Sequence, residues 1–206
     1  MTSAHGRIVR TVVRSAVAAL LLAPTVLADV AYQVTINTSP VSGTAGFLDF
    51  QFNPANPASQ PITAQILSFT SDGFLSGAPI TLGSVVGVLP GPVTFTNNAA
   101  LNDYFQGLTY RNTISFLLLL SGPGINSPVA NNAGSTFGIG LYDSSQQPIL
   151  TNQGSITGFA GQVDILNGIV TTTAFPTQTN GPSVVTFTPS IASNDFLVYY
   201  WFFAES

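Results

Sequence analysis

The side chains of this sequence that could do chemistry are almost all carboxylates. From Asp29 onwards the chain has eight acidic residues and one cation, Arg111, and it has no histidine, lysine or cysteine. The usual Ser–His, Cys–His and Ser–Lys pairs each need one of the missing residues. Zinc and copper sites normally need imidazole or thiolate ligands. We therefore predict a protein that is not an enzyme and has no catalytic residue.

A pair of aspartates, as in a glycosidase, is the one catalytic alternative that these residue types leave open. Its candidates are Asp49, Asp72, Asp103, Asp143 and Asp164. Asp72, Asp103 and Asp143 each fit a turn or strand end, where an aspartate bonds nearby backbone N–H groups. Asp49 alternates with apolar neighbours, which predicts a place on a solvated strand face. We favour these structural roles over a catalytic pair.

Calcium is the cofactor that carboxylates and loop carbonyls could hold without histidine or cysteine. The acids are scattered singly, and no D-x-D-x-D-G loop is present. Asp72 and Asp143, both in turn-like segments, are the candidate calcium ligands. Apart from this possibility, we predict no cofactor.

Three further residues are candidates for ligand binding. Arg111 could hold an acidic ligand, although we favour a role in pairing with an acid and capping a hairpin. Tyr104, Phe105 and Tyr110 could form a platform that stacks on a sugar ring, and the two tyrosines are the ligand-binding candidates among them. They share strand parity, while Phe105 has the opposite parity, so one of the two groups is expected to pack in the core.

The first 28 residues read as a secretory signal. Arg7, Arg10 and Arg14 precede an apolar run that is too short to span a bilayer, and Val26-Leu27-Ala28 fits a cleavage site. We predict cleavage after Ala28 and export. Only 6% of the chain is charged, against about 25% in an average soluble domain, and this composition argues against a nucleic-acid partner.

The elements that must position the candidate residues are short strands. Apolar and polar residues alternate with period two between Gly, Pro, Asn and Ser, which is typical of strands. The predicted strands are 31–38, 46–53, 62–70, 84–89, 93–96, 104–110, 113–121, 136–142, 149–151, 155–159, 162–166, 168–175 and 183–188. The continuous apolar run 116–120 predicts a central strand covered on both faces, and Arg111-Asn112 suggests a hairpin turn. The pattern predicts an all-β antiparallel sandwich, jelly-roll-like, as a single domain over 29–189.

Several runs resemble a known family when they are taken together. They are AGFLDFQFNPANPASQP (45–61), AQILSFTSDGFLSGAP (64–79), NDYFQGLTYRNTISFLLLLSGP (102–123), GSTFGIGLYDS (134–144) and SVVTFTP (183–189). The chain resembles, over about 32–189, exported bacterial proteins that end in a PEP-CTERM sorting signal. The family's biochemical role is undefined. The resemblance implies a link to the cell envelope and to extracellular polysaccharide.

The C-terminal segment departs from that family. The usual Pro-Glu-Pro, apolar helix and arginine cluster are replaced at 190–206 by an atypical apolar tail. Its apolar run, 196–204, is shorter than half a bilayer span. We therefore expect no stable membrane span after signal cleavage, and a tail that either adds an edge strand or stays a sticky extension.

These observations predict an exported, non-enzymatic β-sandwich of the bacterial cell surface or extracellular matrix. Its expected partners are extracellular polysaccharide or other envelope components. The alternative is a carbohydrate-binding module, which would present an exposed row of aromatic residues on one sheet face. A glycoside-active enzyme would instead need two facing carboxylates about 5–10 Å apart.

Overall fold

A computed structural model describes residues 29–131, 133–153, 158–177 and 181–190. The predicted signal segment, 1–28, and the tail from residue 191 onwards lie outside the described residues. The strands are β1 (Val30–Asn37), β2 (Ala45–Pro54), β3 (Thr63–Ser71), β4 (Phe74–Leu82), β5 (Val85–Gly87), β6 (Val93–Thr96), β7 (Asp103–Thr109), β8 (Thr113–Ser121), β9 (Ser135–Asp143), β10 (Phe159–Leu166), β11 (Ile169–Ala174) and β12 (Val185–Ser190).

The strands form two antiparallel sheets of six. The first sheet has the order β12-β1-β8-β3-β6-β5, and the second has the order β11-β10-β9-β2-β7-β4. The chain crosses repeatedly from one sheet to the other, so many sequence neighbours lie in opposite layers. The predicted all-β antiparallel sandwich is therefore confirmed.

The core lies between the two sheets and is rich in phenylalanine. Phe50 of the second sheet meets Phe116 of the first edge to face, with ring centroids 5.1 Å apart, and Phe95 meets Phe137 in the same way at 5.9 Å. All four rings are fully buried. Because alternate residues of a strand point to opposite faces, only the residues between these core positions can reach the outer faces.

Helix is confined to single turns in the described residues. A 3-10 turn covers Ser39–Val41, and the helix α1 covers Pro123–Asn126. None of the helices found in the described ranges has the length and apolar content needed to cross a membrane.

The strand predictions missed β4 entirely. This edge strand contains Gly77-Ala78-Pro79, which resembles a breaker in the sequence. The pairing of β4 with β7 shifts register between Ser76 and Ile80, so Pro79 lies where the ladder is already interrupted. An edge position with an irregular register is where a strand tolerates proline.

The predicted strand at 149–151 is wrong. Pro148 forms only an isolated bridge with Tyr142. Leu150 has a φ of 57°, which lies in the left-handed region and ends any extended run.

The predicted hairpin turn at Arg111-Asn112 is also wrong. The strand before it, β7, belongs to the second sheet, whereas β8, which follows it, belongs to the first. The segment is a corner between layers. The apolar run 116–120 does lie in an inner strand, β8, but its outward residues Leu117 and Leu119 are only half-buried, so coverage on both faces was over-predicted.

Tyr110 holds this corner against the second sheet. Its hydroxyl donates to the Phe47 carbonyl at 2.6 Å and accepts from the Tyr142 backbone N–H at 3.2 Å. These two groups belong to paired residues of β2 and β9. Gly46 leaves room for the ring, because a Cβ there would lie 2.6 Å from Cε2 of Tyr110.

We predict that Tyr110→Phe lowers the free energy of unfolding by about 1–3 kcal/mol, because it leaves buried backbone groups without their partner. Urea denaturation measures the loss. Tyr32→Phe is the matched control, since it keeps the edge-to-face contact with Phe187 and should cost at most about 0.5 kcal/mol. Equal losses in the two variants would contradict the role assigned to the Tyr110 hydroxyl.

Candidate functional site

The two tyrosines predicted as a sugar platform lie inside the sandwich. Tyr104 and Tyr110 are both 0% exposed. The Tyr104 hydroxyl accepts from the Leu89 N–H at 2.9 Å, and the Tyr110 hydroxyl binds backbone as described above. Their selection as stacking residues is therefore wrong. The strand parity is as expected, and it places Phe105 on the outer face instead.

Asp72 joins two corners of the molecule. Its carboxylate accepts from the backbone N–H groups of Asn112 and Thr113, each at 2.9 Å, and from the Asn112 side-chain amide. The Thr113 N–H is the main cause of a lowered pKa for Asp72, with smaller contributions from Asn112. This arrangement ties the β3–β4 turn to the β7–β8 corner.

Asp143 has a comparable turn role. Its Oδ1 accepts from the backbone N–H groups of Ser145 and Gln147, at 2.8 and 2.9 Å. Within the described ranges, no three acidic residues come together as a metal cage. Calcium binding by either residue stays a prediction.

Arg111 lies on the surface beside an aromatic ring. Its guanidinium carbon is 5.9 Å from the centroid of the Phe74 ring. Cation–π contacts at exposed positions contribute about 0.5–1 kcal/mol. Arg111 therefore covers Phe74 at the corner, and the predicted hairpin that it would cap does not exist.

An apolar strip crosses four strands on the outer face of the second sheet. It consists of Ile80, Phe105, Phe47 and Tyr142, from β4, β7, β2 and β9, and is called the aromatic strip below. Phe47 and Phe105 stack with centroids 4.6 Å apart, and Phe105 lies 5.8 Å from Tyr142. Ile80, which pairs with Phe105 across β4 and β7, is 68% exposed. The three rings are half-buried, so their edges reach solvent.

A polar row runs beside the aromatic strip. Asp49, Gln51 and Asn53 follow one another on the outer side of β2, linked by hydrogen bonds of 2.9 and 3.2 Å. Asp103 begins β7 opposite Gln51, and its carboxyl group lies beside that of Asp49. Asp49 and Asp103 are called the carboxyl pair below. The prediction that Asp49 faces outward is confirmed, but that it is solvated is wrong, since it is 2% exposed.

The carboxyl pair is short of hydrogen-bond donors. Asp49 Oδ1 and Asp103 Oδ1 are buried and meet no donor among the described residues. Burial first, and then the hydrogen bond to Asp103 and its charge, raise the pKa of Asp49 to about 8. Burial and the two neighbouring carboxyl groups raise the pKa of Tyr142, whose hydroxyl lies beside Asp49, to about 12. Burial and the neighbouring carboxyl group therefore favour the protonated form of Asp49.

The position of Tyr142 depends on a glycine. A Cβ on Gly140 would lie 2.6 Å from Cε2 of Tyr142 and 3.2 Å from Cβ of Asp49. Because Gly140 has no side chain, the Tyr142 ring can lie flat over β9 and reach the Asp49 carboxyl group. The ring thus shields the carboxyl pair from solvent and also belongs to the aromatic strip.

The carboxyl pair is poorly arranged for hydrolysis. A glycosidase separates its two carboxyl groups by about 5 Å or more, to leave room for the sugar bond or a water molecule. Two carboxyl groups in direct contact leave no such room. A dyad that shares a proton can activate water, but the oxygens of this pair that lack partners are buried.

A cleft of about 610 Å³ lies at one end of the sandwich, and no charged residue lines it. Its walls include Pro54, Pro57 and Asn98. Asn97 also lines the cleft. Its side-chain oxygen accepts from the Ile62 N–H at 2.9 Å, and its side-chain nitrogen donates to Ser135 Oγ at 2.9 Å. Its amide is used to join loops and does not point a free group into the cleft.

Two aromatic members of the outer face, Phe47 and Tyr142, are not identified from the sequence. Asp49 and Asp103 are named as candidates, but the sequence does not predict that the two lie together. The parity of β2 and β7 contained part of the signal, because it places Phe47, Asp49 and Phe105 outward together. The missing information was which strands are neighbours, since β2 and β9 are far apart in sequence.

Comparison with known proteins gives no match: no family model, no curated protein and no solved structure corresponds to this chain.

We predict that Asp72→Asn lowers the melting temperature at pH 7, because an amide oxygen is a poorer acceptor for three N–H groups. The folded-state pKa of Asp72 is below its ordinary value of 3.8. Its carboxylate therefore contributes stability above that pH, and the contribution is lost as the pH falls through the folded-state pKa. Melting curves from pH 7 to pH 2 should show the difference between wild type and variant shrinking below pH 4. A difference that stays constant to pH 2 would mean that the Asp72 charge has no part in it.

Proposed function

We propose that this protein is an exported, non-enzymatic β-sandwich of the bacterial cell surface or extracellular matrix that contacts polysaccharide. The observation that carries the proposal is the aromatic strip with its adjoining polar row. The exposed edges of the half-buried rings offer apolar surface to the C–H groups of a sugar, while the half-buried amides of Gln51 and Asn53 can bind its hydroxyls. A flat sheet face suits an extended polymer better than a small ligand, which prefers a concave site.

The charge of the chain favours neutral polysaccharides as the partner. After residue 28 there are eight acidic residues and a single arginine, and Arg111 is occupied at the corner beside Phe74. An anionic polymer would meet repulsion over most of the surface. Neutral glycans are bound by stacking and hydrogen bonds, which are the interactions that the outer face of the second sheet offers.

Two features support a role without catalysis. The sequence from Asp29 onwards lacks histidine, lysine and cysteine, and the two carboxyl groups that meet are in direct contact and buried. Among the described residues, the carboxyl pair therefore offers no accessible acid and base. Binding or scaffolding is therefore the function that this chemistry favours.

A dedicated carbohydrate-binding module is the alternative, and the same aromatic strip favours it. The two functions differ in the ligand length they need. A module binds short oligosaccharides on its own, whereas a matrix protein gains affinity from a polymer that spans many copies. Binding of short and long chains of one neutral glycan to residues 29–206 separates them.

We predict that Phe105→Ala weakens binding to a neutral glycan about tenfold, the equivalent of about 1.4 kcal/mol, because Phe105 is the central ring of the aromatic strip. A glycan array that includes neutral glucans identifies the glycan, and isothermal titration measures its affinity. Val86→Ala is the control, since Val86 is 75% exposed on the edge strand β5 of the other sheet. Absence of any glycan binding by the wild type, or equal binding by both variants, would refute the proposal.

A further inference from the structure

The carboxyl pair lies where two strands and the aromatic strip meet. Asp49 is directly opposite Phe105, and Asp103 is directly opposite Gln51, on the paired strands β2 and β7. The two aspartates are therefore diagonal neighbours on the same face of this strand pair, a separation of about 7–8 Å between their backbones. Any force between them acts on the spacing of these strands.

The groups packed around the pair cannot neutralise a second negative charge. From β9 the only titratable group that faces it is Tyr142, whose hydroxyl lies beside Asp49 and whose pKa is raised to about 12. On β2 its neighbours are the neutral Gln51 and Asn53, and β4, on the far side of β7, contains no titratable residue. Asp164, on β10, is bound to Thr136 and Gln162 at 2.6 and 2.7 Å.

No arginine or lysine is at hand to compensate the pair. Arg111, the single cation after residue 28, lies against Phe74. Two ionised carboxyl groups in buried contact repel each other strongly. A proton on one of them removes the repulsion and supplies the donor that both Oδ1 atoms lack.

We propose that one proton, shared by Asp49 and Asp103, links β2 to β7 and keeps the aromatic strip continuous, so that the outer face of the second sheet is a proton-dependent surface. With the proton bound, the pair is a hydrogen bond across the strand boundary. When the proton leaves to solvent as the pH rises, two negative charges face each other and push the strands apart. This inference does not depend on what the aromatic strip binds.

The direction of the pH dependence follows from linkage. Asp49 holds its proton in the folded state up to about pH 8, whereas in the unfolded chain it releases the proton near its ordinary value of 3.8. Between these values the folded state binds the extra proton, so stability is full below pH 4 and falls as the pH rises towards 8. This is the reverse of the behaviour of Asp72.

Melting curves of residues 29–206 between pH 5 and 7.5 test the proposal. The contribution of one proton should lower the melting temperature by about 3–5 °C for each pH unit. Asp49→Asn should remove this contribution and flatten the curve, because the amide stays neutral and still donates to Asp103. Asp164→Asn is the matched control, since it removes another half-buried acid of the same outer face, and it should keep the wild-type slope.

A direct titration guards against a variant that fails to fold. The carboxyl carbon resonance of Asp49 in the wild type, followed by NMR, should titrate between pH 7 and 9, and Asp103→Asn should shift its midpoint downward by removing the neighbouring charge. A midpoint near 4 in the wild type, or equal melting slopes in wild type and Asp49→Asn, would overturn the proposal. So would a calcium-induced rise in melting temperature at pH 7 that Asp49→Asn abolishes, because the pair would then hold a cation.

Discussion

The apolar contact between the two sheets is the interaction on which the rest of the structure depends. Phe50 and Phe137 from one sheet meet Phe116 and Phe95 from the other, and these contacts fix which half of each strand points inward. Every polar or aromatic residue of opposite parity must then lie on an outer face. The same rule buries Tyr104 and brings Phe105 to the surface. Core packing and strand parity therefore decide where the candidate site lies.

The near absence of charge is the second constraint, and it decides the chemistry of the site. In most domains a buried carboxylate finds an arginine or lysine. This chain has one cation after residue 28 and uses it beside Phe74. Asp72, at an exposed corner, has no cationic partner among the described residues and instead accepts hydrogen bonds from two backbone N–H groups. Asp49 is buried against a second carboxyl group, and these surroundings raise its pKa. Two aspartates in one fold therefore have pKa values shifted in opposite directions, for reasons visible in their surroundings.

Sequence pattern was sufficient for the fold class and for most strands, because period-two alternation reports directly on a half-buried sheet. The sequence pattern gave wrong predictions where a short segment resembles a different local structure. Gly77-Ala78-Pro79 concealed β4, and Arg111-Asn112 was interpreted as a hairpin although the chain changes sheets there. The candidate site was harder to predict from the sequence than the strands. Parity showed that Asp49 and Phe105 face outward, but their neighbours come from strands that are distant in sequence. Neither the contact of Asp49 with Asp103 nor the cover provided by Tyr142 could be predicted without the strand order.

If the outer face of the second sheet binds neutral glycans, backbone amide NMR spectra of residues 29–206, recorded with increasing amounts of a neutral glucan oligosaccharide, will locate the contact. We expect the shifts to concentrate on the outward residues of β2, β7 and β9, with those of Phe47, Phe105 and Tyr142 among the largest. Residues of the opposite outer face, such as Thr35 and Gln65, should be unaffected. Shifts centred on the opposite face or on the cleft beside Pro54, with none at the aromatic strip, would show that the binding surface lies elsewhere.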